Sequence, residues 1–302
     1  MKGYDRAEAG KYLKPDTVAK LGNIELKARM VVEGFLIGLH KSPYHGFSVE
    51  FAEYRQYNPG DSIRHIDWRA YARTDRFYIK EFEEETNLRS YILLDKSASM
   101  SYKSSGISKL EYGKYLAAAL TYLLINQKDA AGLMTFDTKI RRVLRPSSTR
   151  IGLFTMLKEL SNAEAGGETV FSDIFYNLAS RLKKRGLVVL ISDLMDEPDD
   201  VIRSIKLFRH RNHEVIVFHV LDKDEIDFDF KKEAIFEDLE SGDDLPIMPW
   251  ALKSDYIKSI NNYLKKLRSA FSESMIDYVL LSTETPFDVA LMQFLHKRAR
   301  LS

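Results

Sequence analysis

Three short segments carry oxygen donors in an order that suits a hard divalent cation. Asp95-Lys96-Ser97-Ala98-Ser99 offers a carboxylate and two hydroxyls at alternate positions, so one turning loop can aim all three at a single point. Gly166-Gly167-Glu168-Thr169 adds a hydroxyl behind two glycines, which let the backbone pass close to an ion. Ser192-Asp193 adds a second carboxylate. The expected ligand set is Asp95, Ser97, Ser99, Thr169 and Asp193, with no imidazole or thiolate in it. Such a set favours Mg²⁺ above all, with Mn²⁺ or Ca²⁺ as substitutes, because Mg²⁺ takes about six oxygens and keeps some of its waters. Each segment alone is common in caps and turns; all three together, each at a strand end or helix start, make the metal reading.

These segments need a scaffold that gathers strand ends. From residue 90 onward, apolar runs alternate with helical patterns. Ser90–Asp95, Ala130–Phe136, Gly186–Ser192, Glu214–Leu221 and Ile276–Leu281 read as strands, with Ile140–Leu144 as an edge strand. Lys109–Gln127, Arg150–Leu160 and Phe171–Lys183 read as helices, as do a segment around Val201–Phe208 and one opening at Thr285-Pro286. Ser108 with Glu111 fits a capping box. The nearly all-apolar run Leu187–Ile191 implies burial on both faces, as in a parallel sheet. The predicted fold is α/β: a doubly wound, mostly parallel sheet with helices on both faces, plus a smaller N-terminal α+β part. The expected division is residues 1–89 packing on a main domain of residues 90–302, with an acidic surface excursion at about 222–250. In the N-terminal part, Val18–Leu39 reads as mostly helical, and Phe47–Tyr54 and Phe77–Phe82 as strands. In an open sheet of this kind ligands sit beyond the carboxyl ends of the strands, where the three segments would meet.

The Asp95, Ser97, Ser99, Thr169 and Asp193 pattern resembles the metal-ion-dependent adhesion site of von Willebrand factor A domains. Gly46-Phe-Ser-Val-Glu-Phe, the run Tyr54–Asp61, Ile63-Arg-His-Ile-Asp-Trp-Arg69, Ala72-Arg-Thr74, Phe236-Glu-Asp-Leu-Glu240 and Tyr256 are similar to the signature of the domain of unknown function 58 family. That resemblance implies a von Willebrand factor A-like fold. It also implies that the serines and the threonine ligate the ion, that the aspartates ligate it directly or through water, and that a partner carboxylate fills an open position. It further implies a non-enzymatic, divalent-metal-dependent protein-binding module, an adaptor for a MoxR-type AAA+ ATPase in the assembly or maturation of client proteins.

Composition narrows the alternatives. The 302 residues carry 45 Lys+Arg against 44 Asp+Glu, a balance that argues against a general nucleic-acid binder. The absence of cysteine excludes thiolate metal sites, iron–sulfur clusters and cysteine nucleophiles. The start lacks the apolar run of a signal peptide, and Leu116–Ile125 is about half the length of a membrane span, so a cytoplasmic protein without a membrane span is expected. No Gly-x-Ser-x-Gly elbow and no phosphate-binding glycine loop is present. The competing enzymatic reading is a Mg-dependent phosphohydrolase or phosphotransferase using Asp95 as nucleophile; its acid–base partner two residues on would be Ser97, which cannot serve. A third reading is a structural scaffold with an empty site. Arg55, Arg64, Asp67, Trp68 and Arg73 form a mixed-charge aromatic cluster, read as an internal network or a partner docking surface. His210 and His213 read as surface residues at a helix end, and Trp250 as a packing anchor.

Overall fold

The computed structural model describes residues 13–40, 54–56, 71, 77–80, 89–167, 171–230, 234–237, 244–247 and 249–299. Two N-terminal helices, α1 (Pro15–Ala19) and α2 (Ile24–His40), precede a short antiparallel pair, β1 (Tyr54–Gln56) and β2 (Tyr78–Lys80). The mostly helical segment expected over Val18–Leu39 is interrupted at Lys20–Asn23, and Asn23 restarts the helix by accepting the Leu26 N–H on its side chain.

The main sheet follows. Its strands are β3 (Arg89–Asp95), β4 (Ala130–Phe136), β5 (Ile140–Ser147), β6 (Leu187–Ser192) and β7 (Glu214–Leu221), completed later in the chain. Between them run α3 (Lys109–Asn126), α4 (Arg150–Ser161), α5 (Phe171–Arg181) and α6 (Pro198–His210). After β7 come a one-turn helix, α7 (Lys223–Asp227), and an antiparallel pair, β8 (Ala234–Glu237) with β9 (Asp244–Ile247). The long helix α8 (Pro249–Glu273), the last sheet strand β10 (Asp277–Ser282) and α9 (Phe287–Ala299) close the described chain. The six sheet strands lie in the order β10-β7-β6-β3-β4-β5. All pairings are parallel except β4 with β5, which is antiparallel and forms the edge. This is the doubly wound, mostly parallel α/β sheet expected from the sequence.

Side-chain alternation divides the core into two layers. Ile92, Leu94, Val189, Ile191, Ile216 and Phe218 face one side, where they pack with α3, α9 and the N-terminal helices. Leu93, Val188, Leu190, Val215 and Val217 face the other, against Phe175 of α5, Phe208 of α6 and Phe271 of α8. Burial on both faces explains why β6 shows no polar residue before Ser192: each buried aliphatic side chain contributes about 1.5–3 kcal/mol, and neither face meets water. The N-terminal helices share the first layer, with Val18, Val31, Val32 and Phe35 buried in it.

Helix α3 is the element that matters most for the site. Ser108 caps it by accepting the Glu111 N–H, and the Glu111 side chain accepts the Ser108 N–H in return. Gly113 brings it close to the sheet: a Cβ there would lie 3.0 Å from Leu94 Cδ1 and 3.2 Å from Ile191 Cγ2. The first turn of α3 therefore sits at the carboxyl ends of β3 and β6.

Candidate metal centre

The strand order switches at β3: β4 is added on one side of it and β6, parallel to it, on the other. Open α/β sheets form their ligand crevice at such a point. Asp95 ends β3, and Ser192 ends β6 with Asp193 next to it.

Asp95 is fully buried and held at both oxygens. Its Oδ1 accepts the Ser97 N–H at 2.9 Å, and its Oδ2 accepts the Ser192 hydroxyl at 2.6 Å. Ser192 Oγ in turn accepts the Leu194 N–H at 3.0 Å, so one hydroxyl ties both strand ends together. Burial, and then the charge of nearby Asp193, pushes the Asp95 carboxyl up to about 7; the hydrogen bonds from Ser192 and Ser97 only partly oppose them. Ser97 is buried, and its hydroxyl lies 3.0 Å from that of Ser99 in the 3₁₀ turn Ala98–Ser101.

The glycine loop is laced to the same turn. Ala98 N–H donates to the Gly167 carbonyl at 2.9 Å, and Gly166 N–H donates to the Lys96 carbonyl at 2.9 Å. Gly167 has φ +80°, a conformation that a side chain would strain. Thr169, two residues further on, lies outside the described residues, as do Arg64, Asp67, Trp68 and Arg73 of the mixed-charge cluster. Arg55 is placed in β1, its backbone opposite Ile79.

Asp193 is buried and paired with an internal cation. Lys109 Nζ, at the first position of α3, donates to Asp193 Oδ2 at 2.7 Å and to Glu225 Oε1 of α7 at 2.5 Å. Burial pulls the lysine down, but the two carboxylates outweigh it and hold the ammonium charged. The loop that carries Asp193 is fixed from behind. His219 Nε2 lies 2.7 Å from the Asp193 carbonyl oxygen, and its Nδ1 lies 2.7 Å from the Tyr278 hydroxyl. The Tyr263 hydroxyl donates to the Leu194 carbonyl, and Leu194 itself sits at φ +51°. Burial pushes the His219 ring down to about 4, so it is neutral and donates to that carbonyl while accepting from Tyr278.

The donor chemistry fits a hard cation. Two buried carboxylates lie within electrostatic reach of each other beside two adjoining hydroxyls, and Asp95 has no cationic side chain among its hydrogen-bond partners in the described residues. No cluster of three or more His, Asp or Glu side chains able to hold a metal occurs among the described residues. A cation here would therefore rest on hydroxyls as much as on carboxylates.

Four participants escaped the sequence reading: Lys109, Glu225, Ser192 as a tie, and His219. Lys109 had a signal, since a cation at the first position of a helix opposes the helix dipole and needs a compensating anion. Nothing local points to Glu225, which lies 116 residues away in the acidic excursion. Two expectations of burial are corrected. His213 is buried, because the chain turns directly from the end of α6 into β7 and its backbone bonds to Phe208. Trp250, expected as a packing anchor, is 54% exposed at the start of α8.

The strand order, the antiparallel edge and the helices on both faces are those of a von Willebrand factor A-like fold. The model of the family described as "Protein of unknown function DUF58" matches residues 53–262, and the chain belongs to that family. An uncharacterized protein of Mycobacterium tuberculosis is 25% identical over 291 residues, spanning 95% of this chain and 91% of its own. Among solved structures, the conserved hypothetical protein BatB of Bacteroides thetaiotaomicron superposes with a TM-score of 0.50 at 16% identity, over 70% of this chain and 99% of its own. A weaker likeness, TM-score 0.38 at 15% identity over 68% and 93% of the two chains, is to the VWA domain of SpRpn10. No helix among the described residues is long and apolar enough to cross a membrane.

Proposed function

We propose that this protein is a non-enzymatic, divalent-metal-dependent protein-binding module. One observation carries the reading: buried Asp95, with no cationic side chain among its described hydrogen-bond partners, stands with the adjoining hydroxyls of Ser97 and Ser99 at the switch point of the sheet and feels the charge of buried Asp193. Ser97 and Ser99, with Thr169, would hold Mg²⁺, and Asp95 and Asp193 would supply charge directly or through water. A bound ion supplies an attachment point for a carboxylate from another protein. This chain's own part is to orient the hydroxyls, exclude water behind them and fix Asp193 through His219 and Tyr263. The partners we infer, from the family resemblance alone, are a MoxR-type AAA+ ATPase and a client protein offering the carboxylate. Asp95 is a poor nucleophile as held, since it is buried with both oxygens engaged, which speaks against phosphoryl transfer.

Three measurements test the proposal. Calorimetry should detect Mg²⁺ and Mn²⁺ binding to the native chain and a marked loss in the Asp95→Ala, Ser97→Ala double variant; equal binding by both would refute the site. Affinity capture should recover a MoxR-type ATPase in Mg²⁺ and lose it on chelation. Turnover of a generic phosphoester, abolished by Asp95→Asn, would instead make the protein an enzyme.

A further inference from the structure

Lys109 stands in an unfavourable place unless something requires it there. Its ammonium lies at the positive end of α3, and its side chain is 1% exposed. The two compensating carboxylates come from different parts of the chain: Asp193 from the end of β6, Glu225 from α7. Glu225 is engaged throughout. Its other oxygen accepts the Asp222 N–H at 2.7 Å, closing the capping box of α7, and its carbonyl accepts the Tyr256 hydroxyl at 2.8 Å. Asp222 is tied onward to Ser104 and Thr283. One ammonium thus bridges the candidate metal centre to the helix that opens the acidic excursion.

Asp193 cannot serve two cations equally. A divalent ion drawing on its carboxylate stands within a few ångströms of the Lys109 ammonium, and like charges at that range repel strongly in a water-poor interior. Lys109 keeps a partner when Asp193 is drawn away, because its ammonium already donates to Glu225 Oε1 at 2.5 Å.

We propose that Lys109 is a resident counter-cation that competes with the divalent ion for Asp193 and, by its hold on Glu225, links occupancy of the metal centre to helix Lys223–Asp227. This rests on the metal reading above and adds its regulation: the apo site is neutralised from within, and filling it shifts the ammonium toward Glu225. The device sets affinity low, so that a partner's carboxylate is needed to complete a stable complex.

The test uses the full chain titrated with Mn²⁺ by calorimetry. Lys109→Met alone leaves two buried carboxylates unpaired and risks unfolding, so the decisive variant is Lys109→Met with Glu225→Gln. That pair leaves the net charge of the Lys109, Asp193, Glu225 group at −1 while freeing Asp193. The double variant should bind Mn²⁺ about tenfold or more tighter than the native chain, since a unit charge at contact distance has been removed from one ligand. Binding by the double variant alone also supports competition. Amide exchange in Lys223–Asp227 should fall on adding Mn²⁺ to the native chain, as the ammonium tightens on Glu225, and be indifferent to it in the variant, a response that a merely structural lysine would not give. Equal affinities overturn the inference and leave the metal centre standing. No binding by either chain overturns both.

Discussion

Asp95→Asn separates what the site costs the fold from what it does. Asp95 is buried, and its carboxyl is pushed from 3.8 up to about 7, first by burial and then by Asp193. Between those two values the folded chain holds a proton that the unfolded chain has released, so stability falls as pH rises across the window. Above it the charge costs about 4 kcal/mol, at 1.36 kcal/mol for each pH unit of displacement. Asparagine has nearly the same shape, keeps an oxygen for the Ser97 N–H and carries no charge at any pH. In chelator, the variant should match the native chain near pH 4 and gain about 1.4 kcal/mol per pH unit, levelling near 4 kcal/mol above pH 8. Urea unfolding from pH 4 to 9 measures this directly, with equal m-values as the control. Saturating Mg²⁺, at about a hundred times its dissociation constant, should then return about 2.7 kcal/mol to the native chain and nothing to the variant. A gap that does not change with pH, or a variant less stable than the native chain at pH 8, would refute the picture of an uncompensated buried carboxylate.

Other perturbations report on the scaffold. His219 titrates in the opposite sense: its ring is pushed from 6.5 down to about 4, so stability is lost as pH falls through that range. His219→Gln should be less stable at pH 7 but lose about 3 kcal/mol less between pH 6.5 and 4, measured by the same unfolding series. Gly186→Ala puts a Cβ 2.2 Å from the Arg89 carbonyl oxygen where β3 and β6 begin, and should cost about 1–3 kcal/mol or more in thermal unfolding. Ser108→Ala removes the cap of α3 and should cost about 1 kcal/mol while leaving Mn²⁺ affinity nearly unchanged, since the Lys109 contacts remain.

Much of this architecture is legible because it is local. Ser108 and Glu111 announce the start of α3, and the apolar run Leu187–Ile191 announces a strand buried on both faces. Asp95, Ser97 and Ser99 are legible as a set because a turn only five residues long must bring them together. Boundaries were less certain where tertiary contacts set them. The helix pattern across Val18–Leu39 hides a break at Lys20–Asn23, and His213 looks exposed until the turn into β7 buries it.

Sequence alone determined the alternation of strands and helices, the family, and which oxygen donors stand at strand ends, because periodicity and short-range turns act over a few residues. Tertiary structure alone decided that Ser192 binds Asp95 across 97 residues, that Lys109 neutralises Asp193 from 84 residues away, and that Glu225 shares that lysine. The reason is physical: a charge or hydroxyl finds its partner by distance in space under low dielectric, and strand order, which local patterning leaves open, fixes that distance.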